Sequence, residues 1–502
     1  MRKELLVNAT PPETRVALTE DGRVVEVFHE RRGRQSLVGN VYLGRVHRVL
    51  PGMQAAFVSI GLDRDAFLYV EDVAPRSSDY DFGEEESESG IEDEAHDRSA
   101  SERPRIDDLL KEGQEIVVQV TKDSVGSKGP RVTAALSLAG RTLVFLPGGR
   151  EPGVSRRIVD AAERDRLRSL LEALPGGGAF IARTAALGKS AEELAADHAY
   201  LTGLAARIAK RRDSAAPPAL LHREADLALR SARDLVDDDC DVLRVDDPAA
   251  FERMREFLAV ASPGLARRLE LYEDPEPLFR RYNVESEIEN ALRSRVPLPS
   301  GGSIVIHQTE ALVAIDVNTG KFVGTADLED TVFAANLEAA PEVARQIRLR
   351  DLGGLLVVDF IDMEDPGHRE ALFARFAEEM ARDRAKTRLL PVSEFGLIEV
   401  TRQRSRGNLE RVLTRACPEC AGGGRVKSDT TVALDLRRAL LAPPVLFSRG
   451  EIVRVRTRPG VARLLTEDDP RIVEEAEASL GIRLEIIPDE TLDGAGFQIE
   501  RG

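Results

Sequence analysis

The sequence predicts a multidomain α/β (α+β) fold, and three observations lead to it. Residues 39–73, GNVYLGRVHRVLPGMQAAFVSIGLDRDAFLYVEDV, are short β-branched and aromatic runs broken by Gly, Pro and Asp, the pattern of a small all-β unit. From residue 301 apolar runs alternate with amphipathic helical stretches, an α/β alternation. With 502 residues, the chain is long enough for about three or four units, each with its own core.

The β-rich run resumes at EIVVQVTK (115–122). Between the two lies SSDYDFGEEESESGIEDEAHDRSASERP, which has almost no apolar periodicity and reads as a disordered insertion. Residues 137–210 mix strands (TLVFLP, GAFIAR) with helical patterns, and DSAAPPA (213–219) is a linker-like break. Residues 220–290 read as helices around one strand. GGSIVIHQTEALVAIDVN is a strand pair, and the helical stretch after it is disturbed at Pro341. GLLVVDFIDM is a buried strand, GHREALFARFAEEMARDRAK an amphipathic helix, and 429–502 a compact α/β tail.

The formal net charge of −17 disfavours passive electrostatic capture of nucleic acid. Residues 79–102 alone carry eleven acids, so much of the excess is local. The start, MRKELLVNATPP, lacks the apolar core of a secretory signal, and no run approaches a membrane span. Three cysteines exclude a disulfide framework. The expectation is a soluble, cytoplasmic protein.

The two strands ending in acids carry the most chemistry. Period two puts Asp316 and Asn318 on one face of the first strand, and Asp359 on one face of the second, with Asp362 opposite. If the strands are neighbours, Asp316, Asn318 and Asp359 converge. Two carboxylates and an amide oxygen form a hard, oxygen-only set suited to Mg²⁺, which can activate water at a phosphodiester. Alternatively, these acids cap strands or pair with Arg345, Arg348 and Arg350. Phe57 and Phe67 are either barrel core or base-stacking platforms. The seven histidines show no metal-helix spacing, which disfavours histidine-based cleavage.

The motifs GNVYLGRV, GMQAAFV, SRRI, RTAALGKS, LPSGGSIVI, TEALVAIDVN, NLEAA, IRLRDLGGLLVVDFIDM and CPECAGGG occur in order along nearly the whole chain. In this the sequence resembles the bacterial ribonuclease E/G family, and by length its ribonuclease G branch. The resemblance implies an RNase H-like domain (1–38 plus 220–290) holding an inserted S1 (OB-type) RNA-binding barrel (39–136) with its acidic insertion at 76–103. It further implies a 5′-monophosphate sensor (137–219), a DNase I-like catalytic domain (291–414), a zinc link (415–426) and a small C-terminal domain (427–502). The implied activity is magnesium-dependent endonucleolytic cleavage of single-stranded, A/U-rich RNA to 5′-phosphate and 3′-hydroxyl ends, in ribosomal RNA processing and messenger turnover.

By the same resemblance the magnesium ligands are Asp316 and Asp359, with Asn318 beside them. Phe57 and Phe67 hold substrate, and Lys128, Arg156, Arg157 and Lys386 face RNA. At Lys386 ribonuclease E tends to have arginine, so the charge is kept but the planar fork is lost. Arg183 and Thr184, with backbone near Gly140 and Val144, form the 5′-monophosphate pocket. A non-catalytic RNA-binding scaffold and a 3′-exonuclease carrying an S1 domain are the rival readings. The intact carboxylate set argues against the first, and the products from circular RNA decide the second. No long scaffold tail for other degradation enzymes is expected.

Cys417 and Cys420, in Cys-Pro-Glu-Cys, are half of a tetrahedral thiolate zinc site. Cys240 reads as a buried free thiol. The simplest closure is the same pair from a second chain, Zn²⁺ shared across a two-fold axis, in a homodimer or a dimer of dimers. The resemblance implies the same arrangement, and an interchain disulfide is the rival.

Overall fold

The structure is a computed structural model. It describes all residues except 1, 34, 74–103, 125–127, 238, 321–327, 394–395, 404–407, 419, 421, 423, 425, 442–446, 493–495 and 502. The acidic insertion expected at 76–103 lies outside the described residues. The chain divides into two compact units, Met1–Val412 and Leu413–Gly502.

The first unit begins with an antiparallel meander, β1 (Lys3–Ala9), β2 (Glu13–Glu20) and β3 (Arg23–Arg31). Asp21 and Gly22, with φ of 48° and 77°, make the two-residue turn between β2 and β3. Positive φ at both positions gives a turn whose twist matches the strands, which is why Asp-Gly suits it.

The chain then forms the barrel: β4 (Val41–Leu50), β5 (Ala55–Ser59), β6 (Ala66–Tyr69), β7 (Glu115–Lys122) and β8 (Arg131–Thr133). The strands run in the order β4-β5-β6-β8-β7, and β7 pairs back onto β4 to close the circle. Closure leaves no free sheet edge. Val46, Val58, Leu68, Val118, Val120 and Val132 fill the inside.

The next sheet contains β9 (Leu138–Ala139), β10 (Leu143–Leu146), β11 (Gly153–Val154) and β12 (Ala179–Ala182), in the order β11-β12-β10-β9. Helix Ala161–Glu172 packs against it, capped by Asp160, and so does the long helix Ala191–Ser214. Ser190 and Glu193 close a reciprocal capping box at that helix's start, satisfying amide donors the helix cannot. The linker-like stretch leads into β13 (Ala219–His222), which pairs with β4 of the barrel. Residues 220–222 thus run along the barrel's β4.

The chain returns to the first sheet with β14 (Cys240–Val245) and β15 (Leu269–Leu271). Both run parallel to β1, giving the order β15-β14-β1-β2-β3. Two strands stand here where the sequence reading had one, because β15 is too short to show a period.

The last sheet of this unit comprises β16 (Arg295–Pro297), β17 (Ser303–Gln308), β18 (Leu312–Asn318), β19 (Gly354–Asp359), β20 (Thr387–Leu389) and β21 (Leu397–Arg402), in the order β16-β17-β18-β19-β21-β20. Helices Leu328–Leu349 and Pro366–Met380 cover one face, burying Ile315, Val317, Leu356, Val358, Val343, Ile347, Leu372 and Phe376 together. Two sequence expectations are corrected here. The first helix is continuous through Pro341. The missing N–H removes one hydrogen bond, but Ala339, Ala340, Val343 and Ala344 on both sides of it are buried in the core, so packing holds the helix together. And β19, expected as a buried strand, is buried on one face only: Leu356 and Val358 are buried, while Leu355 and Asp359 are exposed. On β18, likewise, Val313, Ile315 and Val317 are buried, while Ala314, Asp316 and Asn318 are exposed.

Arg345, Arg348 and Arg350 do not pair with the strand-end acids. Arg345 holds Glu342, Glu287 and the Val24 carbonyl, tying the helix to β3. Arg348 binds Glu20 and Glu26, and Arg350 donates to Gln346. For Arg345 and Arg348 the carboxylate partners offset the cost of burying the charge.

The second unit is a three-stranded sheet of β22 (Ile452–Thr457), β23 (Arg483–Pro488) and β24 (Phe497–Arg501), in the order β23-β22-β24. Helices Asp429–Leu441 and Arg471–Leu480 supply Val432, Leu436, Leu440 and Ala476 to its core. Among the described residues no helix is long and apolar enough to cross a membrane.

Candidate active site

β18 and β19 are adjacent and parallel, and their register sets Asp316 directly opposite Asp359. Asn318, two residues along the same open face, donates from Nδ2 to Asp316 Oδ2 at 2.7 Å. That bond fixes the amide and turns its oxygen, an acceptor, away from the carboxylate. Burial, then repulsion from Asp316 and Asp362, holds the Asp359 carboxyl above the usual carboxylate range. Among the described residues no lysine or arginine pairs with either acid. Two carboxylates therefore face each other uncompensated, with a third beside them. This donor set fits a hard divalent cation completed by water and phosphate oxygens. Among the described residues no group of three or more His, Cys, Asp or Glu is gathered to hold a metal.

On the barrel, Phe57 and Phe67 stand opposite each other on β5 and β6. Neither belongs to the barrel core, and their rings meet edge to face at 5.4 Å. Tyr69, next on the same face of β6, meets Phe67 at 4.6 Å, and the Arg131 guanidinium lies 4.7 Å from the Tyr69 ring. The sequence reading missed Tyr69 and Arg131. Period two from Phe67 would have found the tyrosine. Lys128 is exposed in the turn whose Pro130 carbonyl accepts from the Phe67 amide at 2.8 Å, so it flanks the aromatic row.

Arg183, at the end of β12, donates to the Gly140 carbonyl at 2.6 Å and forms an ion pair with Asp234 at 2.8 Å. Thr184 is exposed, its hydroxyl 3.4 Å from that of Ser155. Gly140 is buried, with its amide bonded to Leu143 and its carbonyl taken by Arg183. Val144 is buried in the middle of β10, so its side chain packs in the interior. Asp234 also binds Arg233 at 2.9 Å. Against its burial, the charges of Arg233 and Arg183 hold its carboxyl at about 2. No sequence signal marked Asp234 as the partner of Arg183, because the pair is formed by chain return alone.

Arg156 is exposed, and Arg157 donates to the carbonyl of Arg384. Lys386 follows two residues later, also exposed, so Arg157 reaches the segment that carries Lys386. Arg384 in turn donates to the Asp234 and Leu235 carbonyls at the end of helix Leu227–Asp234.

Residues 137–405 match the family described as ribonuclease E/G, and residues 416–502 its thioredoxin-like domain. The chain is 40% identical to ribonuclease G of Salmonella typhimurium over 487 residues, 97% of each chain. It is 39% identical to ribonuclease G of Haemophilus influenzae over 99% of each. The chain belongs to the ribonuclease E/G family. It is also 36% identical to ribonuclease E of Escherichia coli, over 99% of this chain and 46% of that protein.

In this ribonuclease E/G chain the cysteines divide as their sites differ. Cys240 is fully buried on β14, and burial pushes its thiol up to about 11. Cys417 is exposed and Cys420 partly so. The amides of Gly424 and Gly422, with Cys417 beside them, hold the Cys420 thiol below its ordinary range. Backbone N–H groups aimed at a sulfur favour the thiolate that a metal would bind. Gly422 and Gly424, just behind the cysteines, thus supply these amides.

Proposed function

We propose that this family member cuts single-stranded RNA internally, with Mg²⁺ held by Asp316 and Asp359 and oriented by Asn318. The chain is an endoribonuclease, a hydrolase acting in RNA processing and turnover. The observation carrying the site is the register of β18 against β19, which sets Asp316 opposite Asp359 on the open face of the sheet. A magnesium ion there would activate the attacking water and offset charge on the phosphodiester. The chain's own residues do the rest. Asn318 orients Asp316, the two strands fix the acids' spacing, and the core behind the sheet keeps both strands rigid. Cleavage assays of Asp316→Asn and Asp359→Asn with and without Mg²⁺ test this.

The remaining readings belong to the same proposal. Phe57 and Phe67 stack bases of the RNA, with Lys128 beside them; the edge-to-face pair on the barrel surface supports this. Arg183 and Thr184 receive a substrate 5′-monophosphate, which stimulates cleavage; the guanidinium fork suits it. Arg156, Arg157 and Lys386 guide the strand. We read the closed five-stranded barrel as the S1 domain and the β15-β14-β1-β2-β3 sheet as RNase H-like. We also read the six-stranded sheet as the DNase I-like domain. A/U-rich substrates, 5′-phosphate and 3′-hydroxyl products, ribosomal RNA processing and a cytoplasmic location complete it. Cys417 and Cys420 hold structural Zn²⁺ with the same pair of a second subunit; the amides turned toward Cys420 support a thiolate knuckle.

A further inference from the structure

Beside the carboxylate pair, the open end of the six-stranded sheet leads into a cavity of about 460 Å³ that none of the roles above uses. The turn after β19, helix Pro366–Met380 and, ahead of β21, Val392, Ser393 and Gly396 line it. Its floor is apolar: Met363 and Leu372 belong to the core, and Val392 packs against it half-buried. Its rim is polar. Ser393 Oγ accepts from the Leu397 amide at 3.2 Å, which leaves the hydroxyl hydrogen to donate. Arg369 donates to the Met363 carbonyl at 2.9 Å and so holds the turn that carries Asp362. The Asp362 carboxylate has no hydrogen-bond or ion-pair partner among the described residues.

Gly396 shows that this carboxylate has a defined place. A Cβ built on it would lie 2.9 Å from Asp362 Oδ1, and its φ of 75° is one that side chains rarely adopt. Glycine here lets the backbone approach the acid.

Volume and lining set the ligand class. The cavity falls in the size range of small-molecule sites, and its lining joins an apolar floor to a largely polar rim. Single-stranded RNA offers a matching group, a flat base turned out of the stack and read along its hydrogen-bonding edge. Asp362 lies three residues beyond Asp359, a span of at most roughly 10 Å. A phosphate at the carboxylate pair therefore leaves a neighbouring base within reach.

We propose that this cavity takes one nucleobase of the substrate strand beside the cleaved bond, and that Asp362 selects a base carrying an exocyclic amino group over uracil. The inference rests on Asp316 and Asp359 as the cleavage centre. An ionised carboxylate only accepts hydrogen bonds, so it suits an amino group and repels the carbonyl that uracil presents at the same edge.

The test uses the full chain and single-stranded RNAs with one cut site, in which each flanking nucleotide in turn is adenosine, uridine or abasic. At one flanking position an abasic residue should slow cleavage. Uridine in place of adenosine there should slow it about tenfold, the worth of one hydrogen bond to a charged group. Asp362→Asn should bring that ratio to within about twofold of one while ratios elsewhere stay as in the parent. Because the ratio is taken within one variant, a general loss of activity cancels. Val392→Phe, which narrows the cavity, should slow the intact substrate and spare the abasic one. An unchanged ratio in Asp362→Asn, or no abasic effect at any flanking position, would overturn the subsite. Wild-type cleavage by Asp359→Asn would instead remove the centre on which it rests.

Discussion

Asp316 and Asp359 are register partners on adjacent parallel strands, so the backbone itself holds their carboxylates side by side. Charges of like sign at this spacing repel, and the divalent cation proposed above would relieve that repulsion. Asp316→Asn and Asp359→Asn should each lower cleavage by about a thousandfold or more, as expected when several kcal/mol of transition-state stabilisation is lost. RNA binding, followed by fluorescence anisotropy, should change little. Full activity in either variant would sink the magnesium assignment.

Phe67 touches both Phe57 and Tyr69, whereas Phe57 touches Phe67 alone among the aromatic pairs described. Replacing either phenylalanine by alanine should weaken single-stranded RNA binding by about 1–3 kcal/mol per lost base contact. Phe67→Ala should cost more than Phe57→Ala, because it also frees Tyr69. Equal and negligible losses in a binding titration would return both rings to a packing role.

Arg183 is held by Gly140 and Asp234, and its fork is the cationic part of the proposed phosphate pocket. Arg183→Ala should remove any preference for 5′-monophosphate over 5′-triphosphate RNA and leave cleavage of circular RNA unaffected. Matched rate measurements on the three substrates check this. A preference that persists unchanged would place the 5′ end elsewhere.

Asp234 is held at about 2, below the ~3.9 of an unfolded aspartate. A depressed carboxylate adds stability that is complete above the unfolded value and is lost as pH falls through the folded one. Asp234 therefore contributes fully above about pH 4 and loses that contribution between about pH 4 and pH 2. Asp234→Asn should be less stable at neutral pH and should flatten this part of the acid limb in thermal melts. An acid limb identical to the parent's would exclude the pair as a source of stability.

The three cysteines should separate by reactivity. In chelator-treated native protein, two thiols should react quickly at neutral pH, and Cys240, pushed up to about 11 by burial, only on unfolding. Cys417→Ser should lose bound zinc and the subunit association that depends on it. A dimer that persists in this variant without zinc, seen by light scattering and metal analysis, would refute the shared site.

Much of this was legible in the chain. The strand periods around Asp316 and Asp359, the helical patterns within 137–210 and the Cys-Pro-Glu-Cys pair are local patterns, set by residues a few positions apart. The barrel's closure was not legible, since it depends on β7 finding β4 across the acidic segment. Continuity of the helix through Pro341 was hidden too, because the packing that holds it comes from a distant sheet.

The sequence by itself determined which residues could do chemistry: two acids at strand ends, an amide on the same face, aromatic residues in a β-rich run and a pair of thiols. Hydrogen-bonding capacity and period travel with residue type and spacing, and both can be read along one chain. Only the tertiary structure decided which of these meet. It paired β18 with β19 in the register that faces Asp316 to Asp359, sent Arg345 and Arg348 to other acids, and gave Arg183 the partner Asp234. It also set Asp362 at the rim of a cavity, without a partner among the described residues. Pairing between distant segments depends on register and on which face the core covers, and neither is fixed until the whole sheet has formed.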